Sequence, residues 1–327
     1  MTGRAASMFV TIAAALLAVA CAATGDDGAD GASELKVVVT TNILGDLVSD
    51  VVGDAGEVEV LMQPGQDPHG FALSAQQAAS LRDADLVVAN GLGLEESMVD
   101  ALESAEEDGV VVVRVGELLD PLRFEGEHDH GDDDEEHDEE EDDHEDESFD
   151  PHVWLDPIRM AEAPIVIADR LAELDDVRPD EEWQNRANEV AGRILAAHED
   201  VEQTLKAVPG DCRKLVTNHD SLGYFAARYD FEVVGTVIPG SSTQAQPSAQ
   251  GFAELAAKIR EAGVPAIFTE TTQSRRLADA LADELGREIQ VVDLHTGSLG
   301  TEDSGAATYP DLLRTNAQRI ADALTGC

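Results

Sequence analysis

Basic residues are scarce in this 327-residue chain, where 21 lysines and arginines stand against 68 aspartates and glutamates and give a formal net charge of −47. Nucleic-acid binding depends on lysine and arginine contacts to phosphates, so this balance argues against a nucleic-acid partner. Eighteen of the acidic residues lie in residues 125–150 alone, and the rest of the chain is acidic as well. Such a surface suits cations, and it also keeps an exported protein soluble.

Long apolar runs are also lacking, since no stretch of the sequence reaches the length of about 20 residues that a membrane-spanning helix needs. The N-terminus resembles an export signal, with Arg4 before a short apolar stretch over residues 8–20. The small residues before Cys21 resemble a bacterial lipobox, in which the cysteine is acylated. We therefore predict a signal peptide over residues 1–21, a lipid anchor on Cys21 and a flexible tether over residues 22–33. The alternative is an ordinary secretory signal with an incidental cysteine.

Cysteine is rare, and after Cys21 only Cys212 and Cys327 remain. Two thiols in an oxidising compartment usually pair, so we predict a disulfide between them. It would join the C-terminal helix to the start of the second half of the chain. Two free thiols are the alternative, because sequence spacing proves no geometry.

Short β-branched runs alternate with helical patterns along the chain, which is typical of βαβ units and parallel sheets. The predicted strands cover residues 36–41, 58–62, 85–90, 110–115, 214–218, 232–238, 266–270 and 289–294. Between the two series we predict one helix over residues 157–174, kinked at Pro164, and a long helix over residues 180–208. The predicted fold is α/β, with two lobes that each contain a roughly four-stranded, mainly parallel sheet flanked by helices. The N-terminal lobe would span residues 34–179, the rigid linking helix residues 180–208, and the C-terminal lobe residues 209–327.

Residues 125–150 contain no aliphatic side chain, and this composition predicts a disordered loop inserted in the N-terminal lobe. The loop also contains four histidines, His128, His130, His137 and His144. One hypothesis is an inert solvated spacer. The other is weak capture of zinc by imidazoles that lie near carboxylates. Both hypotheses stay open at this stage.

Three further histidines, His69, His152 and His219, follow predicted strands or precede predicted helices. Ligands of open α/β sheets bind at the carboxyl edge of the strands, so we expect these imidazoles to converge on one metal ion. The expected fourth ligand is Asp293, at the end of the last predicted strand. Glu270 is the alternative ligand, or a hydrogen-bonding partner of a ligand. Three nitrogen donors and one carboxylate favour zinc.

The motifs around these residues resemble the zinc/manganese solute-binding protein family of metal ABC importers, over essentially the whole mature chain. The resemblance rests on the segment around Asp293 and on four motifs: PGQDPH at 64–69, NGLGLE at 90–95, DPHVWLDP at 150–157 and NHDSLGYF at 218–225. It implies metal ligands at His69, His152, His219 and Asp293. A histidine at the third of these positions, and an acidic loop with histidines before the second, resemble the zinc-type members.

The resemblance implies a monomeric, lipid-anchored subunit on the extracytoplasmic face of the cell membrane, in the periplasm or at the cell surface. It would bind Zn²⁺ in a cleft between the lobes and deliver it to an ABC-type membrane permease with its ATPase. Because a long helix joins the lobes, we expect local movement of loops and ligands and no wide hinge closure.

Three alternatives to a zinc-type importer subunit stay open. Within the family, the alternative is a manganese- or iron-type binding protein. From another class, a zinc-dependent hydrolase would use Glu270 as general base beside an open metal position. Against the hydrolase, the sequence contains no helix-borne His-x-x-x-His pair. An adhesin is the third alternative, and the sequence offers no adhesive repeat to support it.

Overall fold

The computed structural model of the chain describes residues 34–124, 149–286 and 289–327. The predicted signal, the Cys21 anchor and the tether lie outside these ranges, and so do the four loop histidines His128, His130, His137 and His144. Residues 34–327 belong to one compact unit. No helix in the described ranges combines the length and the apolar character needed to cross a bilayer.

The strands form two separate four-stranded sheets in which all pairs are parallel. In the first sheet the order is β2-β1-β3-β4, and in the second it is β6-β5-β7-β8. The strands are β1 (Leu35–Val39), β2 (Gly56–Val60), β3 (Leu86–Ala89), β4 (Val111–Arg114), β5 (Lys214–Thr217), β6 (Glu232–Thr236), β7 (Ala266–Glu270) and β8 (Gln290–Leu294). The predicted α/β class with two four-stranded sheets is therefore confirmed.

Helices flank both sheets and connect successive strands, as parallel pairing requires. They are α1 (Asn42–Val52), α2 (Ala75–Arg82), α3 (Val99–Glu107), α4 (Pro157–Met160), α5 (Ala163–Leu174), α6 (Asp180–Leu205), α7 (Gly223–Tyr229), α8 (Ala249–Ala262), α9 (Arg276–Leu285) and α10 (Tyr309–Leu324). The predicted single helix over residues 157–174 is wrong, because the structure divides it into α4 and α5. Pro164 does not kink a helix but lies at the start of α5, where its missing N–H costs no helical hydrogen bond.

The first sheet is buried on both faces, which explains why its central strands are continuous apolar runs. Val37 and Val39 on β1 belong to the main core cluster, whereas Val38 belongs to a second cluster on the opposite face. This division follows from the alternation of side chains along a strand. The main cluster also includes residues of the second sheet, such as Phe268, so one core supports both sheets.

Helix α6 has 26 residues, which corresponds to a length of about 39 Å. Its buried side chains recur every three or four residues and form one apolar stripe: Trp183, Ala187, Val190, Ile194, Ala197, Val201 and Leu205. The helix packs against α1 and α5, which follow strands of the first sheet, and against α10, which follows the last strand of the second. A disulfide between Cys212 and Cys327, with 6.1 Å between the Cα atoms, connects the end of the chain to the turn before β5.

Candidate metal centre

Three histidines that are far apart in the sequence converge between the two sheets. His69 lies between β2 and α2, His152 precedes α4, and His219 follows the C-terminal end of β5. All three are buried, with exposures of 4%, 1% and 1%. Parallel strands present their carboxyl ends at one edge of a sheet, and this topology brings the loop residues together. Among the described residues, these three form the one group of histidine, cysteine and acidic side chains spaced to bind a metal ion.

The ring nitrogens of the three histidines have the spacing that a tetrahedral zinc ion requires. His152 Nε2 lies 3.3 Å from His69 Nε2 and 3.1 Å from His219 Nε2. Two nitrogens that each bind one zinc ion at about 2.05 Å and at the tetrahedral angle lie about 3.3 Å apart. The donor set therefore fits zinc with little rearrangement, and the three ring centroids lie 5.0, 5.3 and 5.4 Å apart.

Two buried carboxylates fix the orientation of two of the rings. His152 Nδ1 lies 2.7 Å from Asp150 Oδ1, and His219 Nδ1 is hydrogen-bonded to Glu270 Oε1. A carboxylate accepts the proton on Nδ1, which leaves the Nε2 lone pair directed at the common centre. Several lone pairs that point at one another repel, and a cation between them removes this repulsion. The carboxylates also bring negative charge close to that cation.

The electrostatics of the cluster favour neutral imidazoles at two positions. Burial, together with the neighbouring histidines, lowers the pKa of His69 to about 2, and burial also lowers the pKa of His152 well below its usual value. Burial likewise disfavours a charge on His219, but the carboxylate of Glu270 outweighs burial and raises the pKa of His219. Burial raises the pKa of Asp150 to about 7. In the protein without metal, His219 is therefore the imidazole that binds a proton most readily.

His69 is one of the residues that line a cavity of about 980 Å³. Its Nδ1 is buried and lies 3.3 Å from Glu96 Oε1, without the geometry of a hydrogen bond. Glu96 lines the same cavity and is partly exposed. Of the three buried histidines, His69 is therefore the one that borders this cavity.

The structure does not bring Asp293, the predicted fourth ligand, to the three histidines. Asp293 Oδ1 accepts a hydrogen bond from Thr269 Oγ1 at 2.6 Å, and Oδ2 lies 3.4 Å from Arg275 Nη1. Its side chain is 44% exposed. Strand register explains why Asp293 does not reach the histidines. Glu270 pairs with Leu294, and Thr269 pairs with Asp293. Side chains alternate between the two faces of a sheet, so Asp293 lies on the face opposite to Glu270.

Glu270, the predicted alternative, is the carboxylate that reaches the site, where it contacts the ring of His219. His295 lies near Asp293 and is buried, with Nδ1 3.3 Å from Thr271 Oγ1, and it does not belong to the metal-binding group. His198 on α6 lies outside the centre as well and pairs with Tyr229, with 3.0 Å between Nδ1 and the phenol oxygen.

The role of Asp150 was not predicted from the sequence, although the sequence contains a signal for it. The tripeptide Asp-Pro-His occurs twice, at residues 67–69 and 150–152. In both copies the aspartate Oδ1 accepts the backbone N–H of the histidine, at 3.2 Å in the first and 2.9 Å in the second. A short side chain that bonds to the backbone two residues later forms an Asx turn, which fixes the direction of the histidine. The repeated tripeptide thus marks two ligand-positioning turns.

Several known proteins resemble this chain in sequence and in fold. The family model for the periplasmic component A of the zinc-uptake complex matches residues 37–323. The manganese-binding lipoprotein MntA of Halalkalibacterium halodurans is 27% identical over 319 residues, which cover 97% of each chain. The high-affinity zinc uptake system protein ZnuA of Bacillus subtilis is 29% identical over 322 residues, again covering 97% of each. The solved structure of the periplasmic zinc-binding protein TroA of Treponema pallidum superposes with a TM-score of 0.78 at 28% identity, over 89% of this chain and 99% of that one.

Proposed function

Because the chain belongs to the family of periplasmic zinc-uptake components, we propose that His69, His152 and His219 bind the Zn²⁺ ion that it carries. The family membership identifies the chain as an extracytoplasmic metal-binding subunit of an ABC importer. The metal ion is therefore transported cargo and not a resident cofactor. The observation that carries the assignment of these residues is the convergence of three Nε2 atoms at distances of 3.1 and 3.3 Å around His152.

The choice of zinc over manganese is supported by the donor atoms. Three imidazole nitrogens suit zinc, whereas manganese prefers oxygen ligands. Relatives named for either metal share about the same identity with this chain, so the comparison itself favours neither. Competition titration of the metal-free protein, combined with elemental analysis of the protein as purified, tests the choice. We expect one zinc per chain and a zinc affinity well above that for manganese. Tighter binding of manganese would contradict the proposal.

We propose binding and not catalysis for this centre. A zinc hydrolase needs an open metal position and a nearby general base. Glu270, the candidate base, is engaged with the ring of His219, and its side chain is 3% exposed. We therefore expect no zinc-dependent hydrolysis of esters or peptides. A zinc-dependent activity would be abolished by a chelator and restored by added zinc. Such an activity would favour the hydrolase alternative.

The partners and the anchor follow from the family and from the N-terminal sequence. We propose that the chain is a monomer, that it docks on a membrane permease driven by an ATPase, and that Cys21 is acylated. A curated relative is also named as a lipoprotein, which supports the anchor. Mass spectrometry of the protein from a bacterial membrane fraction tests acylation, and Cys21→Ala should release the protein from that fraction.

Glu270→Gln and Asp293→Asn distinguish the two carboxylates considered for the site. Partners of metal-binding histidines typically contribute 10–100-fold to metal affinity. Because Glu270 contacts the ring of His219, we expect Glu270→Gln to weaken zinc binding by about 10–100-fold. Asp293→Asn removes a carboxylate on the opposite face of the sheet, and we expect it to leave the zinc affinity unchanged. Titration against a competing chelator measures both, and a larger loss in Asp293→Asn would restore that residue as a ligand.

Zinc affinity should fall as the pH decreases through about 7. Below this value Asp150 becomes protonated and no longer accepts the Nδ1 proton of His152 as a carboxylate. The raised pKa of His219 acts in the same direction, because a proton on its ring competes with the metal. His69 and His152 do not compete, since their pKa values are lowered.

Where one proton competes with the metal, the affinity falls about tenfold per pH unit. Chelator competition between pH 8 and pH 5 measures the slope. In Glu270→Gln the decrease should be less steep, because the carboxylate that raises the pKa of His219 is absent while Asp150 still titrates. A zinc affinity that is constant between pH 8 and pH 5 would contradict the expectation.

A further inference from the structure

The two Asp-Pro-His turns use their aspartates differently. In the second copy, Asp150 bonds to the ring of its own histidine. In the first copy, Asp67 accepts the backbone N–H of His69 through Oδ1, but His69 Nδ1 makes no hydrogen bond to it. Instead, Oδ2 accepts two short hydrogen bonds, each of 2.6 Å, from Thr243 Oγ1 and Gln273 Nε2. These partners are 176 and 206 residues away in the sequence.

Both partners of Asp67 belong to loops that follow strands of the second sheet. Thr243 lies between β6 and α8, and Gln273 lies between β7 and α9, whereas Asp67 lies in the loop between β2 and α2 of the first sheet. The carboxylate therefore connects the segment that carries His69 to the half of the molecule that carries His219. Two hydrogen bonds to an ionised acceptor are stronger than the same bonds between neutral groups.

The loop that carries Asp67 and His69 also contacts the second half of the chain at two other points. A Cβ added to Gly70 would lie 2.7 Å from Gln244 Nε2, so the loop between β6 and α8 lies directly against the turn. On another side, Ser298 Oγ accepts the N–H of Gly65 at 2.8 Å. Among these contacts, those of Asp67 involve a carboxylate that also accepts the backbone N–H of His69. The same side chain therefore forms the turn and connects it to Thr243 and Gln273.

We propose that Asp67 is a positioning residue that sets how long the metal stays bound, by linking the His69 turn to Thr243 and Gln273 across the cleft. This inference rests on the metal site proposed above. His69 is the ligand on the cavity side, so the metal leaves when His69 moves away from the centre. The Asp67 bonds oppose that movement, and the transporter must break them to receive the ion.

The test measures the rate at which the zinc-loaded full chain transfers its metal to an excess of a chromophoric chelator. Residues that support a metal ligand typically contribute 10–100-fold to affinity, and most changes in affinity arise in the dissociation rate. We expect Asp67→Asn to accelerate zinc release by about 10–100-fold and to change the association rate by less than about threefold. Thr243→Val removes one of the two donors to Asp67 Oδ2 and leaves that of Gln273, so it should accelerate release by a smaller factor.

The double variant separates a shared contact from two independent effects. If Asp67 and Thr243 act through one bond, the double variant should release zinc no faster than Asp67→Asn alone. Asp85→Asn is the matched control, because this aspartate also accepts a backbone N–H, that of Lys36, but lies outside the cleft. The proposal would be overturned if neither single variant changed the rate of zinc release. It would also be overturned if the double variant accelerated release by the product of the two single-variant factors. If the wild-type chain did not bind one zinc ion per chain, this result would instead refute the proposed metal site itself.

Discussion

Replacing His152 with alanine should reduce the zinc affinity by about 10²–10³-fold. Four-ligand zinc sites bind with about 10–16 kcal/mol, so one ligand corresponds to roughly 2.5–4 kcal/mol. His152 Nε2 contacts both of the other imidazoles, and its loss leaves His69 and His219 without that nitrogen. The loss also leaves the buried carboxylate of Asp150 without its ring partner. Chelator competition with the metal-free variant measures the effect.

His198→Ala is the matched control for this experiment. It removes the same side chain from α6, where the ring pairs with Tyr229 and has no contact with the metal centre. The zinc affinity of His198→Ala should equal that of the wild type. If His152→Ala and His198→Ala bound zinc equally well, the three-histidine centre would not be the metal site.

Removing the disulfide should lower the free energy of unfolding by about 2–5 kcal/mol. The bridge joins residues separated by 115 positions, and a cross-link that closes a long loop restricts the unfolded chain most strongly. Cys327→Ala is the suitable variant, because Cys327 is exposed while Cys212 is buried, so the substitution removes no side chain from the core. Denaturant titration of the metal-free proteins measures the difference.

Reduction provides an independent check of the same prediction. A reductant should destabilise the wild type to the level of Cys327→Ala and should leave that variant unaffected. Equal unfolding midpoints for the oxidised wild type and for Cys327→Ala would mean that the bridge contributes nothing to stability.

The sheets were predictable because their signals are local. The strands of this fold are short β-branched or apolar runs, and β7 coincides with the predicted segment 266–270. Strand ends are less well marked, so β1 ends at Val39, two residues before the predicted boundary. The interruption between α4 and α5 was not predicted. Asp156 caps α4 by accepting the N–H groups of Ile158 and Arg159. At the start of α5, by contrast, Glu162 makes no side-chain capping hydrogen bond, so no capping residue marks this second helix start.

The three histidines could be selected from the sequence because each follows a strand or precedes a helix in a parallel α/β fold. That topology sends all such residues to the carboxyl edge of a sheet, whatever their separation along the chain. The carboxylates could not be assigned in the same way. Whether Asp293 or Glu270 faces the site depends on the register of β7 against β8, and a shift of one residue exchanges the two faces.

The sequence by itself therefore determined the class of fold, the three histidines that converge and the kind of ion that imidazole nitrogens suit. The tertiary structure alone decided which acidic groups support them: Glu270 and not Asp293, Asp150 on the ring of His152, and Asp67 across the cleft. The physical reason is the range of the interactions. Strand and turn preferences act over a few neighbouring residues, whereas the hydrogen bonds of Glu270 and Asp67 join positions 51 to 206 residues apart, which only the packing of the two sheets brings together.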